Sequence, residues 1–492
     1  MKILFVNAPV FFNRFENSQA PLGISYMASL LLENGFQEVR IKDYEVESFN
    51  ENEFLSLIKQ YFPEIIGFSC RTASYPSAVK LITLLQQNNI NALLVLGGHH
   101  ATALTDAVLK ETKVDYIIRH EGERTFLELV RTLSEGGDVE RVKGISFIKE
   151  GVLCHTPPRG LIMDLDTLPF PARELLPMNK YAYSVLLSSR GCPFQCVYCD
   201  KNVSTRNVHY RSVENVVDEI EEIILRWKKD RIYFIDDHFL LNKKRFFEIT
   251  DEWMRRGLKF EWLFQARVDA IDKEVLTRAK ASGCISIIFG VESGDPTELE
   301  FLSKGGSATL EQGEKAIRLT REAGIASRTN FMLGFPVSTH ETVKNSIKYA
   351  KNINAENYRF FHVVPLPNTP LWDKCVEDKI ISDDIDWSKF NFNEAMIATN
   401  DLSLDDLQVY AGAAYFHVFK WKVLKEFTIT VIFNFYKFLK ELPKRKKMSS
   451  SLFYSFPAFA NMASQIWFLM GRMNFKEKMR YLRNIIVTER NL

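Results

Sequence analysis

Between Ile3 and Val363 the chain alternates short apolar runs with amphipathic stretches of helical period, and that alternation restricts it to an α/β fold. Ile3–Asn7, Val39–Tyr44, Ile65–Cys70, Ala92–Leu96 and Tyr116–Arg119 read as strands. Helices are expected at Pro21–Asn34, Glu53–Tyr61, Ser77–Gln87, Ala101–Glu111 and Glu123–Leu133, the first closed by Gly35. Such a series predicts a doubly wound, Rossmann-like parallel sheet over residues 1–145, whose ligand edge lies beyond the strands' carboxyl ends. A second series of strand-then-helix units, each of about thirty residues, fills 181–385. Its strands are Ser184–Ser188, Arg231–Ile235, Glu261–Ala266, Ser286–Phe289, Ser327–Met332 and Asn357–Val363. Helices are expected between them at Val213–Lys228, Lys243–Arg256, Lys273–Ser282, Leu310–Ala323 and Glu341–Asn352.

Residues 146–180 separate the two series. Gly144–Lys149 and Val152–His155 read as a hairpin, and Pro157, Pro158, Pro169, Pro171 and Pro177 then prevent regular structure. Residues 386–492 form an aromatic, helical tail. Its apolar run Phe427–Phe438 is too short to span a bilayer, and Leu452–Met470 is broken by Pro457, Asn461, Ser464 and Gln465. The tail is expected to cap the second domain and close a substrate cavity; the basic knot Pro443–Lys447 leaves membrane-surface contact as the alternative. A chain of 492 residues implies two or three cores. Its formal charge of +2 gives no case for nucleic acid. Seven cysteines, an odd number thinly spread, argue against a disulfide framework and for a reducing, cytoplasmic setting. With Lys2–Pro9 already a strand, no signal peptide is expected.

Three cysteines stand apart. Cys192, Cys196 and Cys199 follow an apolar strand at CxxxCxxC spacing. Structural zinc and iron–sulfur sites use four protein ligands, so a triplet implies an open coordination position. A zinc loop borrowing a distant histidine is the bland alternative, and no CxxC pair or HxxxH lies nearby to complete one. The spacing, with Tyr198 before the last cysteine, resembles the signature of the radical S-adenosylmethionine (radical SAM) superfamily. Phe234–Phe239, Gly290–Gly294, Gly334–Thr339 and Pro365–Pro370 resemble that family's recurrent strand-end motifs, with Val337 and Asn368 where glycine is common.

The resemblance implies a partial (β/α)6 barrel, a three-quarter relative of the eight-stranded one. It also implies a [4Fe-4S] cluster held by Cys192, Cys196 and Cys199, with S-adenosylmethionine on the open iron through its amino and carboxylate groups. Glu292 would bond the ribose, Gly290 would allow close approach, and backbone around Val364–Pro365 would flank the adenine. Tyr198, Asp236 and Arg267 would complete the S-adenosylmethionine site. An ion pair with Arg267 is the structural alternative for Glu292, and anchoring of a loop the alternative for Asp236 and Asp237. Cys284, at a strand start, is expected in the core.

The first domain resembles the cobalamin-binding domain fused to one radical SAM branch. Pro21 and Gly23 open its first helix; Ser69, Thr72, Gly97, Gly98, His100 and Thr102 stand at strand ends, as do Glu121 and Glu123. Glycines would let backbone approach a corrinoid, while hydroxyls and amides hold its rim. The segment lacks the Asp-x-His-x-x-Gly motif that supplies an axial histidine, and His120 occupies a position where glycine is frequent. His99, His100 and His120 are therefore read as hydrogen-bonded loop residues rather than ligands.

Together these resemblances imply cleavage of S-adenosylmethionine to methionine and a 5′-deoxyadenosyl radical, hydrogen abstraction from an unactivated carbon, and methyl transfer from cobalamin. A small-molecule substrate and a reductant such as flavodoxin or ferredoxin follow as partners. The alternatives are a radical cyclase or oxidoreductase without net methyl transfer, as in tetrapyrrole ring formation, and a non-catalytic cobalamin or redox-sensing module.

Overall fold

The computed structural model describes residues 1–10, 19–203, 205–302, 309–381, 385–419, 465 and 475–490. They fall into two compact units. One holds Met1–Ala266, Lys273–Ser286 and Pro365–Phe390; the other holds Arg267–Asp272, Ile287–Val364 and Asn391–Leu492. Phe427–Phe438, Pro443–Lys447 and, apart from Gln465, Leu452–Met470 lie outside the described residues. Among those described, no helix is long and apolar enough to cross a membrane.

In the first unit β1 (Ile3–Asn7), β2 (Val39–Asp43), β3 (Ile65–Ser69), β4 (Leu93–Gly97) and β5 (Tyr116–Ile118) are parallel, in the order β2-β1-β3-β4-β5. The near-continuous burial of β1, β3 and β4 is what a sheet covered on both faces requires. Helices α1 (Leu22–Glu33), α2 (Glu51–Tyr61), α3 (Tyr75–Gln87), α4 (His99–Ala103), α5 (Thr105–Thr112) and α6 (Glu123–Ser134) lie between and after these strands. One core cluster joins Val6, Phe54, Ile66, Ile82 and Leu96; the other joins Phe5, Ala28, Val95 and Phe126. The expected hairpin, β6 (Ile145–Lys149) and β7 (Val152–His155), adds to β5 in antiparallel register and makes the sheet seven-stranded. The helix expected at Ala101–Glu111 is divided at Leu104 into α4 and α5.

Register aligns the sheet's ligand edge. Asp43, Asn7, Ser69, Gly97 and Ile118 are successive cross-strand partners, so the loops after β1, β3, β4 and β5 leave from one level.

The same unit carries the start of the second series. β8 (Ser184–Leu186) pairs in parallel with β11 (Arg231–Phe234), and β11 with β12 (Glu261–Arg267). Helices α7 (Val213–Leu225), α8 (Lys243–Arg255) and α9 (Lys273–Ala281) follow the strands in turn. Between β8 and α7 a short antiparallel ladder, β9 (Ser189–Arg190) with β10 (His209–Tyr210), closes the neck of a long loop. β13 (Cys284–Glu292) begins in the first unit, with Cys284 buried as expected, and runs into the second. There β14 (Ala326–Leu333) and β15 (Asn357–His362) pair in parallel, with α10 (Pro296–Leu302), α11 (Leu310–Glu322) and α12 (His340–Ile353). Residues 404–419 and Phe475–Arg490 are helical, and Tyr481 and Ile485 crowd Gly412, leaving no room for a β-carbon there.

Candidate cofactor site

Three cysteine thiols outside any disulfide sit on the loop that the β9–β10 ladder closes: Cys192 is buried, Cys196 and Cys199 are half-buried. The Cys192 N–H donates to the Thr205 carbonyl (2.9 Å) and the Cys199 N–H to the Cys196 carbonyl (3.1 Å). Gly191 has φ +94°, and the Thr205 and Asn207 carbonyls occupy the space a β-carbon would need, so the first cysteine is approached through a turn only glycine makes easily. Burial pushes the Cys199 thiol up to about 11; Lys201 opposes this, and Asp237, Cys196 and Cys192 add to it. The three sulfurs thus share one electrostatic neighbourhood. Binding a cluster would remove the thiol protons and spread their charge over iron. Among the described residues no three His, Cys, Asp or Glu group as ligands of a single ion. Three soft donors on a short, anchored loop fit a [4Fe-4S] cluster with one iron open.

The neck is held from below by a buried polar network. Asp236, 1% exposed, accepts bonds from the Ser188 N–H (3.1 Å), the Ser188 hydroxyl (2.7 Å) and the Ser189 hydroxyl (2.6 Å). Burial pushes its carboxyl up, against the pull of those bonds and of Arg245. Arg245 donates to the Ser188 hydroxyl and carbonyl (both 3.0 Å) and to the Arg211 carbonyl (2.8 Å). Deeper still, Glu219 is paired with both Arg173 and Arg211. Burial works against its ionisation, but the two guanidinium groups outweigh it and hold the carboxyl below the usual range. Asp236 thus bonds the residues that start the cysteine loop, the anchoring arrangement named above as the alternative to a cofactor contact.

Glu121 and Glu123 are also bonded to the start of the cysteine loop. Arg190 Nη1 donates to Glu121 (2.8 Å) and Nη2 to Glu123 (2.7 Å), while the Ile162 N–H donates to the second Glu121 oxygen (2.7 Å). Burial disfavours the Arg190 charge, yet the two carboxylates outweigh it and hold the guanidinium above its ordinary value. The acidic pair therefore clamps the strand leading into Cys192. One Glu123 oxygen remains buried without a partner.

Other expected residues do line the sheet edge. Gly98 has φ +100° and lies where the Cys70 backbone excludes a β-carbon, while at Gly23 a β-carbon would meet nothing within 4 Å. Pro21 caps α1. The Thr102 hydroxyl accepts the His120 N–H (3.1 Å). His100 is buried, with Nδ1 3.3 Å from the Thr72 hydroxyl, Nε2 unpartnered, and its ring against Tyr75 and Trp387. An edge of small residues and neutral donors, with Ser69 and Gly97 in register, fits a large, amide-fringed ligand laid across it.

In the second unit, Glu292 has φ +65° and folds its carboxylate over Gly290, where a β-carbon would collide with it. A side chain at 290 would therefore displace the Glu292 carboxylate. Arg267 makes two bonds to Asp269 (3.0 and 2.8 Å). Sequence reasoning missed Glu298 on α10, which accepts from the Ser293 and Ser338 hydroxyls (both 2.5 Å) and from Thr342 (2.7 Å). It ties the Gly290–Gly294 strand end to the Gly334–Thr339 turn. The sequence signal was faint: a carboxylate four residues beyond Gly294 in a stretch without a predicted helix.

Comparison with known proteins decides the family. The radical SAM superfamily model matches residues 186–350, and the B12 binding domain model matches 9–130. An uncharacterized methyltransferase of Pyrococcus horikoshii is 31% identical over 402 residues, covering 80% of this chain and 86% of its own. The chain belongs to the cobalamin-binding radical SAM enzymes. An anaerobic magnesium-protoporphyrin IX monomethyl ester cyclase from Rubrivivax gelatinosus is 26% identical, covering 92% of this chain and 82% of its own. Among solved structures, the radical SAM methyltransferase TsrM from Kitasatospora setae, with cobalamin and a [4Fe-4S] cluster bound, matches with a TM-score of 0.66 at 21% identity. That match covers 77% of this chain and 78% of the other. The enzyme therefore uses S-adenosylmethionine, a [4Fe-4S] cluster and cobalamin, and it acts with a reductant on a small molecule.

Proposed function

We propose that this enzyme is a cobalamin-dependent methyltransferase acting on an unactivated carbon of a small molecule in the cytoplasm, with flavodoxin or ferredoxin as electron donor. When bound, the cluster and S-adenosylmethionine supply a carbon-centred radical by reductive cleavage, and cobalamin supplies the methyl group. Cys192, Cys196 and Cys199 hold the cluster and leave one iron for the sulfonium ligand. Gly290 and Glu292 receive the ribose, and Tyr198, Arg267 and the backbone at Pro365 are further S-adenosylmethionine contacts. Pro21, Gly23, Ser69, Thr72, Gly97, Gly98, His100 and Thr102 form the corrinoid edge.

One observation carries this reading. Within a single compact unit, the sheet edge that matches the B12 domain is bonded directly to the cysteine loop, through Arg190 to Glu121 and Glu123 and through His99 to Asp200 (3.0 Å). A chain that used its cluster alone would have no use for that connection. The Pyrococcus relative supports methyl transfer; the cyclase relative supports the second reading, oxidative ring formation without net transfer.

The test is product analysis of the reduced, cobalamin-loaded enzyme with methyl-labelled S-adenosylmethionine. Methyl transfer predicts S-adenosylhomocysteine alongside 5′-deoxyadenosine. Deoxyadenosine without S-adenosylhomocysteine would favour the second reading.

A further inference from the structure

Two positions where the family resemblance calls for glycine carry side chains here, His120 and Asn368. Both backbones are left-handed, with φ of +61° and +62°. Outside glycine such conformations are uncommon and persist where the surroundings hold them. Both side chains end on the same residue. Asn202, 5% exposed, lies three places beyond Cys199. His120 Nδ1 is 2.9 Å from the Asn202 carbonyl oxygen, so Nδ1 carries the proton and donates. The Asn368 amide donates to Asn202 Oδ1 (2.6 Å), and Asn202 Nδ2 donates to the Pro367 carbonyl (3.1 Å). The Asn202 N–H donates to Asp200 Oδ1 (2.8 Å), whose other oxygen meets His99 Nδ1 (3.0 Å). A further backbone bond, from the Leu371 N–H to the Val197 carbonyl (3.0 Å), ties the helix that follows Asn368 to the same loop.

The polar groups of Asn202 reach two other segments besides its own loop. Its contact with His120, and that of Asp200 with His99, lead to the corrinoid edge. Asp200 lies in the cysteine loop itself. Pro367 and Asn368 belong to the segment assigned to the adenine. Fixing a loop of this kind costs conformational entropy when a ligand orders it. Where three loops share bonds, the first ligand orders part of what the second needs, and the second binds more tightly.

We infer that Asn202 is a positioning residue that registers the cysteine loop against the corrinoid edge and the adenine segment, so that cobalamin and S-adenosylmethionine bind cooperatively. This rests on the two-cofactor reading above. It assigns no chemistry to Asn202. Its side chain has the length and the mixed donor and acceptor character to serve Pro367 and Asn368 at once, and alanine has neither.

The test measures the dissociation constant of S-adenosylmethionine on the full-length, anaerobically reconstituted protein, with and without hydroxocobalamin. Equilibrium dialysis of labelled S-adenosylmethionine gives the constant, and the change it causes in the electron paramagnetic resonance spectrum of the reduced cluster gives an independent readout. Cobalamin should tighten binding about fivefold in the wild type. Asn202→Ala, His120→Gly and Asn368→Gly should each bring that ratio close to one. The glycine variants suit their left-handed backbones and should keep cluster and fold, so they decide the matter if Asn202→Ala does not fold. A ratio of one in the wild type, or an undiminished ratio in the glycine variants, overturns the inference. Wild-type protein that retains the corrinoid without coupling refutes this inference alone; protein that retains none refutes the two-cofactor reading as well.

Discussion

Asp236→Asn separates a scaffold carboxylate from a cofactor contact. The amide keeps the shape of the side chain, and one oxygen can still accept from the Ser188 and Ser189 hydroxyls (2.7 and 2.6 Å). The other oxygen becomes a donor facing the Ser188 N–H 3.1 Å away, which then keeps only its contact with the remaining, now uncharged oxygen (3.2 Å). Arg245, bonded to the same serine, also loses its neighbouring negative charge. One lost bond to a charged group is worth about 1.5–3 kcal/mol. Leaving Arg245 less well compensated raises the total to about 2–4 kcal/mol. In a cooperative unit of this size that lowers the melting temperature by about 5 °C. Circular-dichroism melts of wild type and variant, at one scan rate, measure the loss, and cluster absorbance after reconstitution measures its effect on the loop. S-adenosylmethionine affinity, measured on the fraction that retains cluster, should change less than about threefold, the size of one weak contact. A variant with wild-type melting and strongly weakened S-adenosylmethionine binding would refute the reasoning and make Asp236 a ligand contact after all.

Gly290→Ala should displace the Glu292 carboxylate, raising KM for S-adenosylmethionine about tenfold or more while cluster content stays unchanged; an unchanged KM would contradict the role given to Glu292. Cys196→Ser should abolish the broad cluster absorption yet leave cobalamin retention intact, because the corrinoid edge keeps its own packing. Burial holds His100 at about 3, with Asp200 opposing the shift, and holds His362 at about 4. Both stay neutral in the folded state while the unfolded chain takes up protons below about pH 6.5. The stability this represents is present at pH 7 and is lost as pH falls from there toward 4, at about 1.4 kcal/mol per pH unit for each group. Melts of His100→Gln between about pH 7.5 and 5 should therefore show a shallower acid slope than wild type, and equal slopes would contradict the assignment.

The fold was legible where local pattern and burial agree. The strands of the first domain and of the second series lie within a few residues of where the sequence pattern places them, because each is a run of apolar side chains bounded by turns. The two-residue ladder β9–β10 was not legible, since so short a pair has no periodicity. The cysteine triplet stood out by its spacing, and the family resemblance supplied its cluster role. The carboxylates gave no comparable signal. Asp236, Glu121 and Glu123 stand at strand ends, where a ligand contact and a buried anchor look the same in sequence; their bonds to Ser188, Ser189 and Arg190 are visible only in the structure. Asn202 had no signal of its own. The clue lay elsewhere, in His120 and Asn368 occupying positions that the family resemblance gives to glycine.

The central claim is that one chain holds both a cluster and a corrinoid. Its most direct test is the visible spectrum of anaerobically purified, iron-reconstituted protein, incubated with hydroxocobalamin and then desalted. Corrin bands at about one equivalent per chain, beside the broad cluster absorption, are the predicted result. A cluster spectrum with no retained corrin bands would contradict it.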